Sequence, residues 1–273
     1  MKRSLLFALA AFAALPPVAQ AIVWRHDIPE SDVLNYGNTT RLQGVGKVNL
    51  PGWFGTGQFL GIGTGGQAWG ISAKHVITTG QTGTFTFEDG GSYSITQAIG
   101  FAGTDIAVFK IAGWNRNVFA PTLHDDGVYT VGTNFDSAGF GGHGAQGTLG
   151  GNWLYDNKRR GMQTKLTTTR TASFNGENQF QLIDTFDAPG SANVRPVEGF
   201  GASGDSGSML LDDSGKIWGV LSGGQFETYG NINYYAAITP QIAQQIVQTT
   251  GVPEPGTMIL LAGLAAVAAR RRK

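Results

Sequence analysis

The chain contains no cysteine. That excludes disulfides and thiolate-bound zinc, so the fold must be held by its hydrophobic core. Histidine is scarce as well. His26, His75, His124 and His143 are the only four, and their spacing offers no metal-ligand pattern; no metal and no cofactor is expected. There is also no excess of basic charge. Formal net charge is zero, and without the basic residues at the two ends and Glu254 the remaining body carries about −5. A general basic field for nucleic acid is therefore missing, and no nucleic-acid partner is expected. The one basic run, Lys158-Arg159-Arg160, reads as a solvated loop. No internal repeat is evident. A body of about 230 residues can bury a core of adequate size and also fits two small barrels packed together.

What the chain does have is a succession of short alternating segments divided by glycine-rich turns. Thr84-Phe85-Thr86-Phe87 alternates with period two, Glu88-Asp89-Gly90-Gly91 supplies a turn, and Ser92-Tyr93-Ser94-Ile95 alternates again, which predicts a hairpin. Gln163 to Thr171, Gln179 to Thr185 and Ile217 to Leu221 read as further strands. One helix is expected in the body, Pro240 to Thr249, capped by Thr239 and stopped by Gly251. Gly113 to Pro121 is the candidate crossing between halves. Two glycine runs, Gly61 to Gly66 and Gly139 to Gly144, satisfy G-x-G-x-x-G, yet no helix is expected after either, so turns fit better than a dinucleotide site.

Chemistry concentrates in Gly204-Asp205-Ser206-Gly207-Ser208. A serine between glycines suits a nucleophile that needs nearby backbone N–H groups for an oxyanion. Such a nucleophile needs a base, and the base an orienting acid. Every histidine precedes Ser206, which excludes the Ser…Asp…His order. His75 sits within Gly70 to Thr78, where an apolar strand gives way to it, and Asp105 opens the apolar run Ile106 to Ile111. The order is His, Asp, Ser. Alone, each has a plainer reading: a satisfied histidine at a strand end, an acid at a strand start, a glycine-rich turn.

Together these segments resemble the trypsin-like (chymotrypsin-fold) serine proteases. Ser72-Ala73-Lys74-His75 looks like the family's Thr-Ala-Ala-His block, Asp105-Ile106-Ala107-Val108 its Asp-Ile-Ala-Leu block, and Gly204-Asp205-Ser206-Gly207 its nucleophile block. Trp218 to Gly224 resembles the strand that lines the substrate cleft. The resemblance covers most of residues 22–251. It departs in having Val76 where a cysteine is usual and Lys74 for alanine. It implies an all-β fold of two packed six-stranded antiparallel barrels with a C-terminal helix. It also implies an endopeptidase acting on protein or peptide substrates, with Ser206 as nucleophile, His75 as base, Asp105 as orienting acid, and the N–H groups of Gly204 and Ser206 as oxyanion hole. Phe200, six residues before the nucleophile, falls at the floor of the primary pocket, with Ser222 and Gly224 along the cleft; this predicts cleavage after small or apolar residues. Glu198 takes the floor position, with basic specificity, if the loop slips by two residues. Competing classes are a non-catalytic surface protein that keeps the fold as a scaffold and an esterase-type acyl hydrolase.

Both ends read as export signals. Lys2 and Arg3, the apolar stretch Leu5 to Leu15 and Ala19-Gln20-Ala21 form a secretory signal over residues 1–21, cut by signal peptidase. That cut exposes Ile22-Val23, and the resemblance implies that the new ammonium pairs with Asp205. At the other end, residues 252–273 hold Val252-Pro253-Glu254-Pro255-Gly256, an apolar run from Thr257 to Ala269, and Arg270-Arg271-Arg272-Lys273. The run is short for a full span, which needs roughly 17–25 residues, and the basic cluster stays cytoplasmic. The order resembles the PEP-CTERM sorting signal of Gram-negative bacteria. It implies a transient inner-membrane helix, a partner exosortase that removes the tail, and a destination at the cell surface or extracellular matrix.

Overall fold

A computed structural model describes residues 22–146 and 154–253. The signal segment, most of the C-terminal sorting segment and residues 147–153 lie outside them.

From the start of the described chain, β1 (Val23–Trp24) and α1 (Glu30–Gly37) precede β2 (Val45–Leu50), β3 (Trp53–Ile62), β4 (Ala68–Ala73), β5 (Gly83–Thr86), β6 (Ser92–Gly100) and β7 (Ile106–Ile111). The strands β2 to β7 close into a barrel in the order β2-β3-β4-β7-β6-β5. Period-two alternation turns Val48, Phe85, Ile95 and Phe109 inward, where all are buried. A barrel this narrow has little room for aromatic rings, and glycine supplies it: a Cβ on Gly70 would meet Cζ of Phe109 at 2.3 Å. The expected hairpin is present, with Gly83 opposite Ile95 and Thr86 opposite Ser92.

Residues 112–121 then lead to β8 (Thr122–Leu123). The second half holds β9 (Asn134–Gly139), β10 (Gly144–Ala145), β11 (Arg160–Phe174), β12 (Glu177–Thr185), β13 (Gly199–Phe200), β14 (Met209–Asp212), β15 (Lys216–Gly224) and β16 (Ile232–Ala237). Its large sheet runs β14-β9-β11-β12-β16-β15-β8, and a further β14–β15 pairing closes six of these strands into a second ring. Thus the two-barrel expectation holds, with β8 added in parallel beside β15. Phe135, Leu166, Leu182, Trp218 and Tyr235 fill the second ring. A separate core joins the first barrel to Met209, Leu211, Val220 and the inner face of α2 (Pro240–Thr250). As expected, Thr239 Oγ1 accepts the Ile242 N–H at 3.3 Å and Gly251 ends α2 with φ +63°.

Two expectations fail. Besides the expected α2 there is α1, whose start at Pro29 has no side-chain cap; eight residues without a cap leave little trace in a sequence. The basic run is not solvated either, since Arg159 and Arg160 are buried. Arg159 donates to the carbonyls of Gly37 and Val45, while Arg160 pairs with Glu30 and with Asp156 at 2.9 Å. No helix among the described residues is long and apolar enough to cross a membrane; the expected C-terminal hydrophobic helix lies outside those residues.

Candidate active site

His75 follows β4 and Asp105 precedes β7. Because β4 and β7 are paired, with Ala73 opposite Ile106, the two side chains are brought together across thirty residues of sequence. Asp105 is buried and accepts the His75 N–H at 2.8 Å through Oδ1. Its Oδ2 lies 2.7 Å from His75 Nδ1. A carboxylate held this way fixes the imidazole as the tautomer protonated on Nδ1, leaving Nε2 as a base.

Ser206 comes from the other barrel, in the loop between β13 and β14. First-barrel atoms hold that loop. The Thr56 N–H donates to Ser206 O at 2.8 Å, and Thr56 Oγ1 donates to Gly204 O at 2.9 Å. Gly204 and Gly207 both take φ +94°, a left-handed conformation that glycine adopts without strain. A Cβ on Gly207 would stand 2.0 Å from Thr56 O, so the fit leaves no alternative there. Among the described residues, the N–H groups of Gly204 and Ser206 have no protein acceptor. His75, Gly204 and Ser206 line one cleft of about 480 Å³, walled by Trp53, Phe54 and Val76. His75 and Ser206 thus face one opening at the junction of the barrels, with Asp105 buried behind the imidazole.

The architecture can be compared with solved structures. Rv3671c protease from M. tuberculosis in an inactive form has TM-score 0.54 at 13% identity, over 87% of this chain and 100% of that one. An inactive mutant form of Rv3671c from M. tuberculosis H37Rv gives 0.53 at 16% identity, over 86% and 96%. Neuropsin, a serine protease from mouse brain, gives 0.56 at 16% identity, over 83% and 98%. The fold is that of the trypsin-like serine proteases. Residues 251–273 match the PEP-CTERM protein-sorting motif. Comparison with curated proteins gives no match.

The remaining expected residues do not line this cleft and fall into two groups. Asp205 is fully buried, accepting from the N–H groups of Ala202 at 3.0 Å and Gly141 at 3.2 Å. A Cβ on Gly139 would stand 1.8 Å from its Oδ1, so glycine there makes room for the carboxyl. No cation lies within ion-pair distance of it among the described residues, and burial pushes its pKa up to about 8. Ile22 is buried beside Gly199, and Val23 pairs with both Gly144 and Phe200.

Phe200 is buried against Phe186, with ring centroids 5.7 Å apart. Its Cζ would be 3.1 Å from a Cβ on Gly224, so the ring fills the space beside that glycine. Ser222 is buried and accepts from Gln179 at 3.2 Å. Glu198 does not reach the cleft: its carboxylate accepts the Arg195 N–H at 2.9 Å and the Asp187 N–H at 3.4 Å, and burial pushes its pKa up to about 8. His26 bonds the Tyr229 hydroxyl at 2.8 Å, away from the cleft.

Glu30, His143 and Asp156 offer ligand atoms within 4.8 Å of one another, a cluster their sequence spacing does not suggest. The guanidinium of Arg160 already bridges the two carboxylates, so a cation occupies that position without a metal. Sequence reasoning also missed Thr56, Gln179 and Glu177. None belongs to a motif, and only the barrel contacts reveal them.

Proposed function

We propose that this chain is an exported serine endopeptidase that hydrolyses peptide bonds through His75, Asp105 and Ser206. The observation that supports this best is the single cleft shared by His75 and Ser206, with Asp105 buried behind the imidazole. Ser206 Oγ attacks the scissile carbonyl while His75 Nε2 takes its proton. The tetrahedral oxyanion is met by the N–H groups of Gly204 and Ser206, each such donor being worth about 2.7–4 kcal/mol in the transition state. His75 then protonates the leaving amine, and water repeats the sequence on the acyl-enzyme.

In this reading, signal peptidase frees Ile22, and its ammonium pairs with Asp205. A buried carboxylate without a counter-charge is costly, and burial raises the pKa of Asp205, a cost that an adjacent ammonium offsets. Export is thus itself the activating step. With the Phe200 ring at the pocket floor beside Gly224, small or apolar residues are favoured before the scissile bond. The sorting motif at 251–273 supports surface delivery in a Gram-negative host by an exosortase-type enzyme, after transient anchoring of the C-terminal helix.

Labelling with a fluorophosphonate tests the nucleophile. Ser206→Ala is expected to abolish labelling without altering the fold, and labelling that survives this change contradicts the proposal.

A further inference from the structure

The hairpin formed by β11 and β12 extends beyond its own barrel. Its pairing with β9 ends at Lys165, and its pairing with β16 begins at Gln181. The outer part, Thr171–Phe174 with Glu177–Phe180, pairs only with itself among the described residues. It turns through Asn175 at φ +47° and Gly176 at φ +82°, the two-residue Asn-Gly turn suited to hairpins. A bare two-stranded ribbon is marginal in water. This one rests on the first barrel, against the segments that carry His75 and Asp105.

Each contact brackets that pair. Gln179 is buried; its Oε1 accepts the Asp105 N–H at 2.7 Å, and its Nε2 donates to Ser222 Oγ at 3.2 Å. Glu177 accepts the Gly103 N–H at 2.8 Å and pairs with Lys74, which also donates to Phe101 O at 2.9 Å. The Lys74 stem runs over Gly100, where a Cβ would meet its Cδ at 2.6 Å. Phe174 sets its ring edge-on to His75, with centroids 5.6 Å apart, and packs against Tyr234 behind. Ser222 sits next to Leu221, whose N–H donates to Ser208 O at 2.7 Å, two residues after the nucleophile.

We propose, on the peptidase reading above, that this hairpin tip is a clamp that registers the two barrels at the active site. Gln179 is its positioning residue and Lys74–Glu177 its latch. The base and acid stand on one barrel and the nucleophile on the other, so their separation depends on how the barrels dock. Gln179 spans that junction directly, joining the Asp105 backbone to the strand beside the Ser206 loop. Lys74, where the family pattern has alanine, has its reason in Glu177 across the junction. The clamp touches no substrate.

The test is the kinetics of fluorophosphonate labelling on the full-length chain, separating the maximal inactivation rate from the concentration giving half of it. Glu177→Lys is expected to slow the maximal rate about 10-fold and Gln179→Leu about 100-fold, with the half-saturating concentration unchanged within about two-fold, because a misplacement near 1 Å has effects of this size. Glu177→Gln, which keeps an oxygen acceptor for the Gly103 N–H and the Lys74 ammonium, is slowed less than Glu177→Lys. If Gln179→Leu does not fold, the half-buried latch variants still decide. Folded variants that label at the native rate, a loss confined to half-saturation, or a Glu177→Gln chain slower than Glu177→Lys overturn the clamp. A native chain that does not label overturns the peptidase reading and the clamp's catalytic role with it, an outcome distinct from native labelling with unaffected variants.

Discussion

The hydroxyl of Thr56 donates to the carbonyl of Gly204 at 2.9 Å, so a strand of the first barrel grips the nucleophile loop of the second. The same oxygen accepts the Phe140 N–H at 3.2 Å, and Ser72 Oγ caps Thr56 O at 2.6 Å. Orientation of the Gly204 peptide is thereby set from outside its own barrel.

Thr56→Val removes both hydroxyl bonds from a buried position. Loss of about 1–3 kcal/mol is expected in denaturant unfolding, since a carbonyl and an N–H are left unpaired. Labelling of Ser206 slows in parallel as the Gly204 N–H loses its aim, and Thr56→Ser recovers both properties. Unchanged stability and labelling in Thr56→Val would remove this role.

Asp105→Asn keeps the size of the side chain but presents an amide to Nδ1 and favours the wrong imidazole tautomer. A fall in kcat of about 10⁴ is expected from the behaviour of such triads. A peptide turnover assay with an unchanged melting temperature is the check.

Asp205 gives a pH signature. In a chain whose Ile22 is still bonded to a preceding residue, its pKa stands at about 8 against an ordinary 3.8. The folded state then binds more protons than the unfolded state between those values. The stabilisation belonging to this group is complete below its ordinary value and lost as pH rises toward 8. A chain beginning at Ile22 supplies an ammonium partner and loses less. Unfolding free energies of the two chains are expected to diverge as pH rises from about 4 to about 8, and Asp205→Asn flattens the curve of the extended chain. Glu198 also titrates near 8 but is common to both chains, so the difference isolates Asp205.

Phe200→Val trims the ring that crowds Gly224. Preference in a peptide-library digest is expected to move from small toward larger apolar residues, at a stability cost of about 1–3 kcal/mol. An Arg preference in the native enzyme would count against the assignment of Phe200 to the pocket floor.

Much of this was legible in the chain itself. Period-two segments such as Thr84 to Phe87 give strands, because alternation must match the pleat, and Thr239, Pro240 and Gly251 mark both ends of α2. Local signals stop there. Arg160 is buried through Glu30, which stands 130 residues away, and nothing near either residue announces the other. Gln179 and Glu177 are likewise ordinary strand residues until the barrels dock. The 103-residue separation of Lys74 from Glu177 explains why the lysine looked only like a departure from pattern.

One measurement bears most directly on the shared cleft: peptide mapping of the exported protein after reaction with a fluorophosphonate. A single adduct on Ser206, lost when His75 is changed to alanine, is the predicted result. No adduct, or an adduct on another residue that persists without His75, would contradict the account.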